Sequence, residues 1–266
     1  MDDEQLRRRI VDAVDSLPVP AARGRLGLRA RQRYGPPLSA LAVAAAAALV
    51  VLVVLPLGIA AQRSASTDSK LTVITDDFSR GIDPQRWTTM GGGTGHAVRA
   101  IDGRVELALD ANAVPSADGY MSATLGLLRC VARGDYEVSV DYVLLDWPAG
   151  SGTQLVLGEF PPGNAGVRRD QGDRERYGTN GQDGEATAFT TDTQGSLRLV
   201  RKGTSVTASY RSVVGGPWVE LAAHPKSQFD ATFQIFLFAG AREFGGKTVR
   251  VAIDNVRLAA TTVVCV

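Results

Sequence analysis

Between Leu38 and Ala61 the chain reads LSALAVAAAAALVVLVVLPLGIAA, without one charged residue. A hydrocarbon core of ~30 Å takes roughly 20 apolar residues of helix. A single spanning run must also satisfy its own backbone hydrogen bonds, which leaves the helix as its only form in lipid. A core helix of a soluble domain keeps a polar stripe, and this run has none. We therefore expect a transmembrane helix over residues 38–61. Pro56 and Gly58 fall near its outer end, where a helix breaks readily into the interface.

The flanks set the direction. Arg23, Arg25, Arg29, Arg31 and Arg33 precede the run with no acid between Ser16 and Leu38, and only Arg63, Asp68 and Lys70 follow closely. Arginine is held on the cytoplasmic side. The expectation is a single-pass cell-membrane protein with residues 1–37 inside and residues 71–266 outside. The rival is a cleavable signal peptide ending near Gly58-Ile59-Ala60. The long segment before the run, and a run beyond the ~7–15 residues of a signal h-region, favour an uncleaved signal anchor. Within residues 1–37, Leu6, Ile10, Val14 and Leu17 fall at helical spacing until Pro18 and Pro20 intervene. That short helix either meets a partner or is a solvated tail whose arginines set topology, and we prefer the tail.

Charge narrows the function. Residues 1–37 carry eight Arg against five Asp and Glu, whereas the stretch from Leu71 carries 19 Lys and Arg against 22 Asp and Glu. A mildly acidic outer part has no basic stripe to displace counterions, so nucleic acid is not its partner. The expected partners are the lipid bilayer and a glycan or cell-wall ligand. Abundant Ala, Val, Arg and Gly suit a high-GC bacterium. The two cysteines, Cys130 and Cys265, both lie outside, where an oxidising compartment permits a disulfide. The alternative is two separate buried thiols. Neither has a histidine within a few residues, so a metal site or catalytic thiol finds little support. Gly91-Gly92-Gly93-Thr94-Gly95 lacks the lysine and the following helix of a phosphate loop and reads as a flexible turn.

Residues 62–70 (QRSASTDSK) are a short polar linker, and beyond them the pattern has period two. In residues 134–145, Tyr136, Val138, Val140, Tyr142 and Leu144 share one face while Glu137, Ser139 and Asp141 share the other. Asp102-Gly103 is a turn into Val105, Leu107 and Leu109. Residues 197–210 form a hairpin bending at Lys202-Gly203. Residues 232–239, with FQIFLF at their centre, read as a strand covered on both faces. Alternation at Val249, Val251 and Ile253 resumes out of step at Val256 and Leu258, which indicates a bulge at Asp254-Asn255. Residues 161–185 hold a polar hairpin or an irregular loop. With no helical stripe past residue 70, the fold class is all-β, a two-sheet antiparallel sandwich or barrel.

The motifs DDFS (76–79), DPQRW (83–87), DGRVEL, GDYEVSVDYVLLDWP, GSLRLVRKGTSVTASYRS and VRVAIDNVRL follow one another in an order that resembles the concanavalin A-like lectin/glucanase superfamily, especially its laminin-G-like modules in bacterial surface proteins. The resemblance spans about Leu71 to Leu258. It implies an antiparallel jelly roll whose concave face binds glycans or carries catalysis. It also implies a structural calcium ion, with Gly103 and Asp254 at the matching positions. Calcium wants at least six oxygens, and Asp254 is as readily explained as pinning its own bulge.

Laminarinase- and lichenase-like relatives use a strand reading Glu-x-Asp-x-Glu. The nearest match is Glu137-Val138-Ser139-Val140-Asp141, in which the central Asp is Ser139. Two residues four apart on a strand stand ~13 Å apart at the backbone, beyond the ~5–9.5 Å of a working carboxylate pair. Glu137 and Asp141 are thus outward polar residues first and catalytic candidates second. Trp147 and Trp218, at strand ends beside prolines, are the candidate sugar platforms, and Trp87 is expected to pack. The leading expectation is a membrane-anchored, non-catalytic, glycan-binding sandwich. A divergent glycoside hydrolase and a membrane sensor or structural surface protein are the alternatives.

Overall fold

The computed structural model describes residues 71–160, 165–180, 186–225 and 230–266. The expected inner segment 1–37, span 38–61 and linker 62–70 lie outside the described residues. The described residues belong to the compact unit Arg63–Val266. Among them, no helix is long and apolar enough to cross a membrane.

Fourteen strands form: β1 (Thr72–Asp76), β2 (Thr88–Gly92), β3 (Thr94–Ile101), β4 (Arg104–Val114), β5 (Tyr120–Asp146), β6 (Thr153–Phe160), β7 (Gly166–Gln171), β8 (Glu175–Asn180), β9 (Thr187–Phe189), β10 (Gln194–Lys202), β11 (Ser205–Arg211), β12 (Val219–Pro225), β13 (Ala231–Gly240) and β14 (Val249–Cys265). All pair antiparallel, and the architecture is an all-β sandwich. The first sheet runs β12-β11-β10, the second half of β5, then β14, which pairs on its far side with β1 and β4, and β4 pairs with β3. The second runs β2, the first half of β5, β13, β6, β7, β8, β9.

β5 is the hinge of the architecture. Residues 121–127 pair with β13 in one sheet, and residues 136–143 pair with β10 in the other. The chain turns between them at Gly134, whose φ of 71° suits glycine. The alternation at 136–144 therefore holds, but the strand starts well before residue 134.

The core lies between the sheets. Leu107, Val138, Val140, Leu197 and Leu258 of the first sheet meet Leu125, Leu155, Val167, Ile235 and Leu237 of the second, all buried. Tyr136 meets Phe233 edge-on at 4.9 Å. Polar groups are threaded through this interior. Arg169 is fully buried, and its guanidinium pairs with Glu175 and donates to the Asp192 carbonyl at 3.1 Å. Buried Glu159 accepts from the Tyr136 hydroxyl. Alternation from inward Val167 carries Arg169 and Gln171 to the interior, and both are buried despite their polarity.

Local turn chemistry follows the sequence. Asp102 and Gly103 both take positive φ (49° and 73°), joining β3 to β4 by a two-residue turn. The β10–β11 hairpin closes over Gly203-Thr204, because Lys202 pairs with Ser205. The register of β14 against β5 shifts between Asp254 and Arg257, with Asn255 at φ 49°, so the bulge is real. Residues 166–180 form the polar hairpin β7–β8 rather than an irregular loop.

Candidate functional site

The outer side of the second sheet is where outward residues are unexpectedly dry. Alternation places Ser122 and Thr124 of β5, Gln234, Phe236 and Phe238 of β13, Gln154 and Val156 of β6, and Arg168 and Asp170 of β7 on that side. An uncovered face would leave them wet. Instead Val156 is 1%, Asp170 3%, Thr124 7% and Gln234 9% exposed. On this outer side they are covered by neighbouring side chains.

The reading of FQIFLF as a strand covered on both sides is corrected in part: Phe233, Ile235 and Leu237 enter the core, but Phe236 and Phe238 on the outer side are only half-buried. The Phe238 ring sits 5.0 Å from that of Tyr120, which is 46% exposed, and 6.3 Å edge-on from Phe236. Register puts Ser122, Phe238, Gln154, Asp170 and Arg176 in one row across five strands. Thr124, Phe236, Val156, Arg168 and Gly178 form the next.

At the β7–β8 end, the Asp170 carboxylate accepts from Arg168 Nε at 3.2 Å and Arg176 Nε at 3.1 Å. Arg168 lies across Gly178, where a Cβ would come within 3.2 Å of its Nε, and donates to the Thr179 carbonyl at 3.1 Å. A second carboxylate, that of Glu243, lies against outward-facing Gly240, beside Tyr120.

The residues singled out from sequence lie elsewhere. Glu137 and Asp141 stand on the outer side of the opposite sheet. Glu137 pairs with Arg257 at 3.2 Å. Asp141 takes Arg211 Nη2 at 3.0 Å, the Ser196 hydroxyl, and Asn255 Nδ2 at 3.3 Å. The arrangement is a lattice of cross-strand pairs holding strands together. Trp218 lies over the same lattice, with the Arg198 and Arg211 guanidinium carbons 4.2 and 4.7 Å from its ring centroid. Its ring is engaged by its own arginines. Trp147 packs against the core. Trp87 is buried, donating from Nε1 to Asp76 at 2.7 Å.

Gly103 and Asp254 do come into one neighbourhood. Ile253 pairs with Val105, which brings Asp254 level with Arg104, and a Cβ on Gly103 would lie 3.8 Å from Ser79 Cα. Burial, then the nearby Asp141 and Asp77 charges, raise the Asp254 carboxyl above its ordinary value, against Arg104 and a hydrogen bond from the Asn255 amide. No group of three metal-ligating side chains occurs among the described residues, and these two positions supply too few oxygens for calcium. Cys130 and Cys265 are disulfide-bonded. They face each other across β5 and β14 at a non-hydrogen-bonded position, since Val266 N bonds Arg129 O just beyond, and such positions bring side chains closest.

This face was not read from the sequence. Its only local trace is that FQIFLF has no polar alternate except Gln234, so that an outward aromatic pair looks like a buried one.

No family model matches the chain, and no curated protein matches it. Solved structures similar to it include lectin I-B4 from Griffonia simplicifolia (12% identity, 73% of this chain and 99% of that one, TM-score 0.46). The calcium-bound exoplasmic/lumenal domain of VIP36 is 10% identical over 71% of this chain and 90% of that one, with a TM-score of 0.47. A glycoside hydrolase family protein from Mycobacterium thermorestibile is 13% identical over 70% of this chain and 99% of that one, with a TM-score of 0.48. Likeness at this level says nothing of ligand or reaction.

Proposed function

We propose that this chain is a membrane-anchored, extracytoplasmic β-sandwich that binds glycans on the outer face of its second sheet, without catalysing their cleavage. The observation that carries the reading is the meeting on one sheet face of the exposed Tyr120 ring and the half-buried Phe238 ring with polar side chains at Gln234 and Thr124. Sugars offer a face of C–H groups and a rim of hydroxyls. Ring surface and sparse, fixed polar groups on one face match those two demands. The uncharged run 38–61 and the arginines before it support the anchor and its direction.

The test is a glycan array probed with the full chain in nanodiscs. Tyr120→Ala combined with Phe238→Ala is expected to weaken the best ligand at least tenfold. Absence of binding to every glycan overturns the reading. For the anchor, the intact chain is expected in the carbonate-washed membrane pellet, with the part after Lys70 cut by protease added to whole cells.

A further inference from the structure

β1 pairs with one strand, β14, and its other edge meets no strand among the described residues. A free edge that carries apolar side chains is an aggregation hazard unless something covers it. Leu71 and Val73, where this edge begins, are 51% and 49% exposed. Thr72 lies opposite Ala260, so Leu71 is level with Thr261, three residues and ~10 Å along β14 from exposed Val264. Beside them opens a groove whose lining includes Ile74, Val263, Arg86 and Arg129. Arg86 is held by Asp83 at 3.6 Å, whereas the exposed Arg129 has no ion pair among the described residues. Aliphatic surface and an unpaired guanidinium thus share one corner of the sandwich.

This corner is also where the sandwich meets the connection to the expected span. Residues 62–70 separate Ala61 from Leu71, a reach of at most ~35 Å when fully extended. The other end of β14, at Val249, is eleven residues from Ala260, or ~36 Å further along the sheet. A short tether raises the effective concentration of whatever it holds near a surface, so even weak contacts become occupied. The corner suits a bilayer interface. Aliphatic side chains reach the acyl boundary there, and a guanidinium pairs with phosphate in the headgroup layer. The outer part as a whole carries 19 Lys and Arg against 22 Asp and Glu, so a cationic corner sets which end an anionic lipid surface attracts.

We infer that this corner docks on the lipid surface, with Leu71, Val73 and Val264 in the bilayer interface and Arg129 on a lipid phosphate. The inference rests on the membrane-anchored reading above and adds to it a lipid-binding surface and an orientation. Leu109 lies opposite Val249, and Val114 is five residues further from the corner, so the end of β4 stands on the side away from the bilayer.

The test uses the full chain, one per nanodisc of mixed phosphatidylcholine and phosphatidylglycerol. A polarity-sensitive fluorophore is attached at Val73→Cys or, as the control, at Val114→Cys, which is 56% exposed. Lipids carrying a nitroxide are the quencher. Quenching at 73 is expected to exceed that at 114 several-fold. Val264→Asp combined with Arg129→Glu, both at exposed positions, is expected to bring 73 down to the level of 114 with the thermal midpoint unchanged. Equal quenching at the two sites, or quenching at 73 that survives in the folded double variant, overturns the inference. Quenching at 73 that appears only with two chains per disc also overturns it and assigns the corner to a second copy. If the chain pellets with carbonate-washed membranes while 73 stays unquenched, docking fails and the anchor stands. If the chain is absent from that pellet, both fail together.

Discussion

The hydroxyls of Tyr142 and Tyr177 lie 2.7 Å apart in the buried interior, one carried by each sheet. Tyr177 also stacks on Tyr210 of the first sheet, ring centroids 3.9 Å apart, and its hydroxyl lies 3.3 Å from an Asp192 oxygen. The two sheets are thus joined by a polar contact as well as by apolar packing.

Burial raises both phenols, Tyr142 to about 12 and Tyr177 further still. A phenol whose folded value exceeds its unfolded value of ~10 favours the fold below that pH. The contribution is lost as pH rises from 10 through 12. Alkaline unfolding is therefore expected to steepen across that window and to be shallower in Tyr142→Phe, followed by thermal midpoint against pH. At neutral pH, Tyr142→Phe is expected to cost about 1–2 kcal/mol in denaturant melts, because it leaves a buried partner short of one bond.

Glu137 and Asp141 are expected to separate in stability and agree in function. Glu137→Gln removes a half-exposed ion pair and is expected to cost less than about 1 kcal/mol. Asp141→Asn disturbs three partners at once and is expected to cost about 1–3 kcal/mol. Urea melts distinguish them. Neither change is expected to alter glycan affinity, because both residues stand on the outer side of the opposite sheet. A tenfold affinity loss in either would place the site on the wrong sheet.

Trp218→Ala uncovers Arg198 and Arg211 and is expected to cost about 1–2 kcal/mol, from cation–π contact and lost cover. Glycan affinity is expected to hold. The intrinsic fluorescence lost in this variant is expected to be insensitive to ligand in the parent.

The Cys130–Cys265 bridge closes a separation of 135 residues and ties the end of β14 to the middle of β5. Cys265→Ser, or reduction, is expected to cost about 2–5 kcal/mol, the chain-entropy account for so long a loop giving the upper end. Thermal melts with and without reductant check this, and the Cys265→Ser variant is expected to show no further reductant effect.

Much of the fold was legible because its signals are local. Alternation at Tyr136 to Leu144, the Asp102-Gly103 turn, the hairpin after Leu197 and the slip at Asp254-Asn255 each depend on a few neighbouring residues and on backbone sterics. The first half of β5 was harder to read. Its outward residues include Gly126 and Leu128, so the period-two pattern fades where the strand enters the second sheet. Arg169 and Gln171 point inward because β7 must keep register with β6, and their partners Glu175, Ser151 and Asp192 come from elsewhere in the chain.

The candidate site divides along the same line. The order of the residues alone was enough to argue for a greasy anchor, an outward-facing acidic portion and an all-β class, since hydropathy, charge and periodicity are properties of contiguous stretches. Which side of which sheet gathers aromatic and polar side chains is a property of pairing between distant strands. Tyr120, Gly158, Arg168 and Phe238 become neighbours only through the β5–β13–β6–β7 ladder. Trp218, promising by composition, is claimed by two arginines brought to it from β10 and β11. Alternation tells that a side chain faces away from its neighbours, and only non-local packing decides what it then faces.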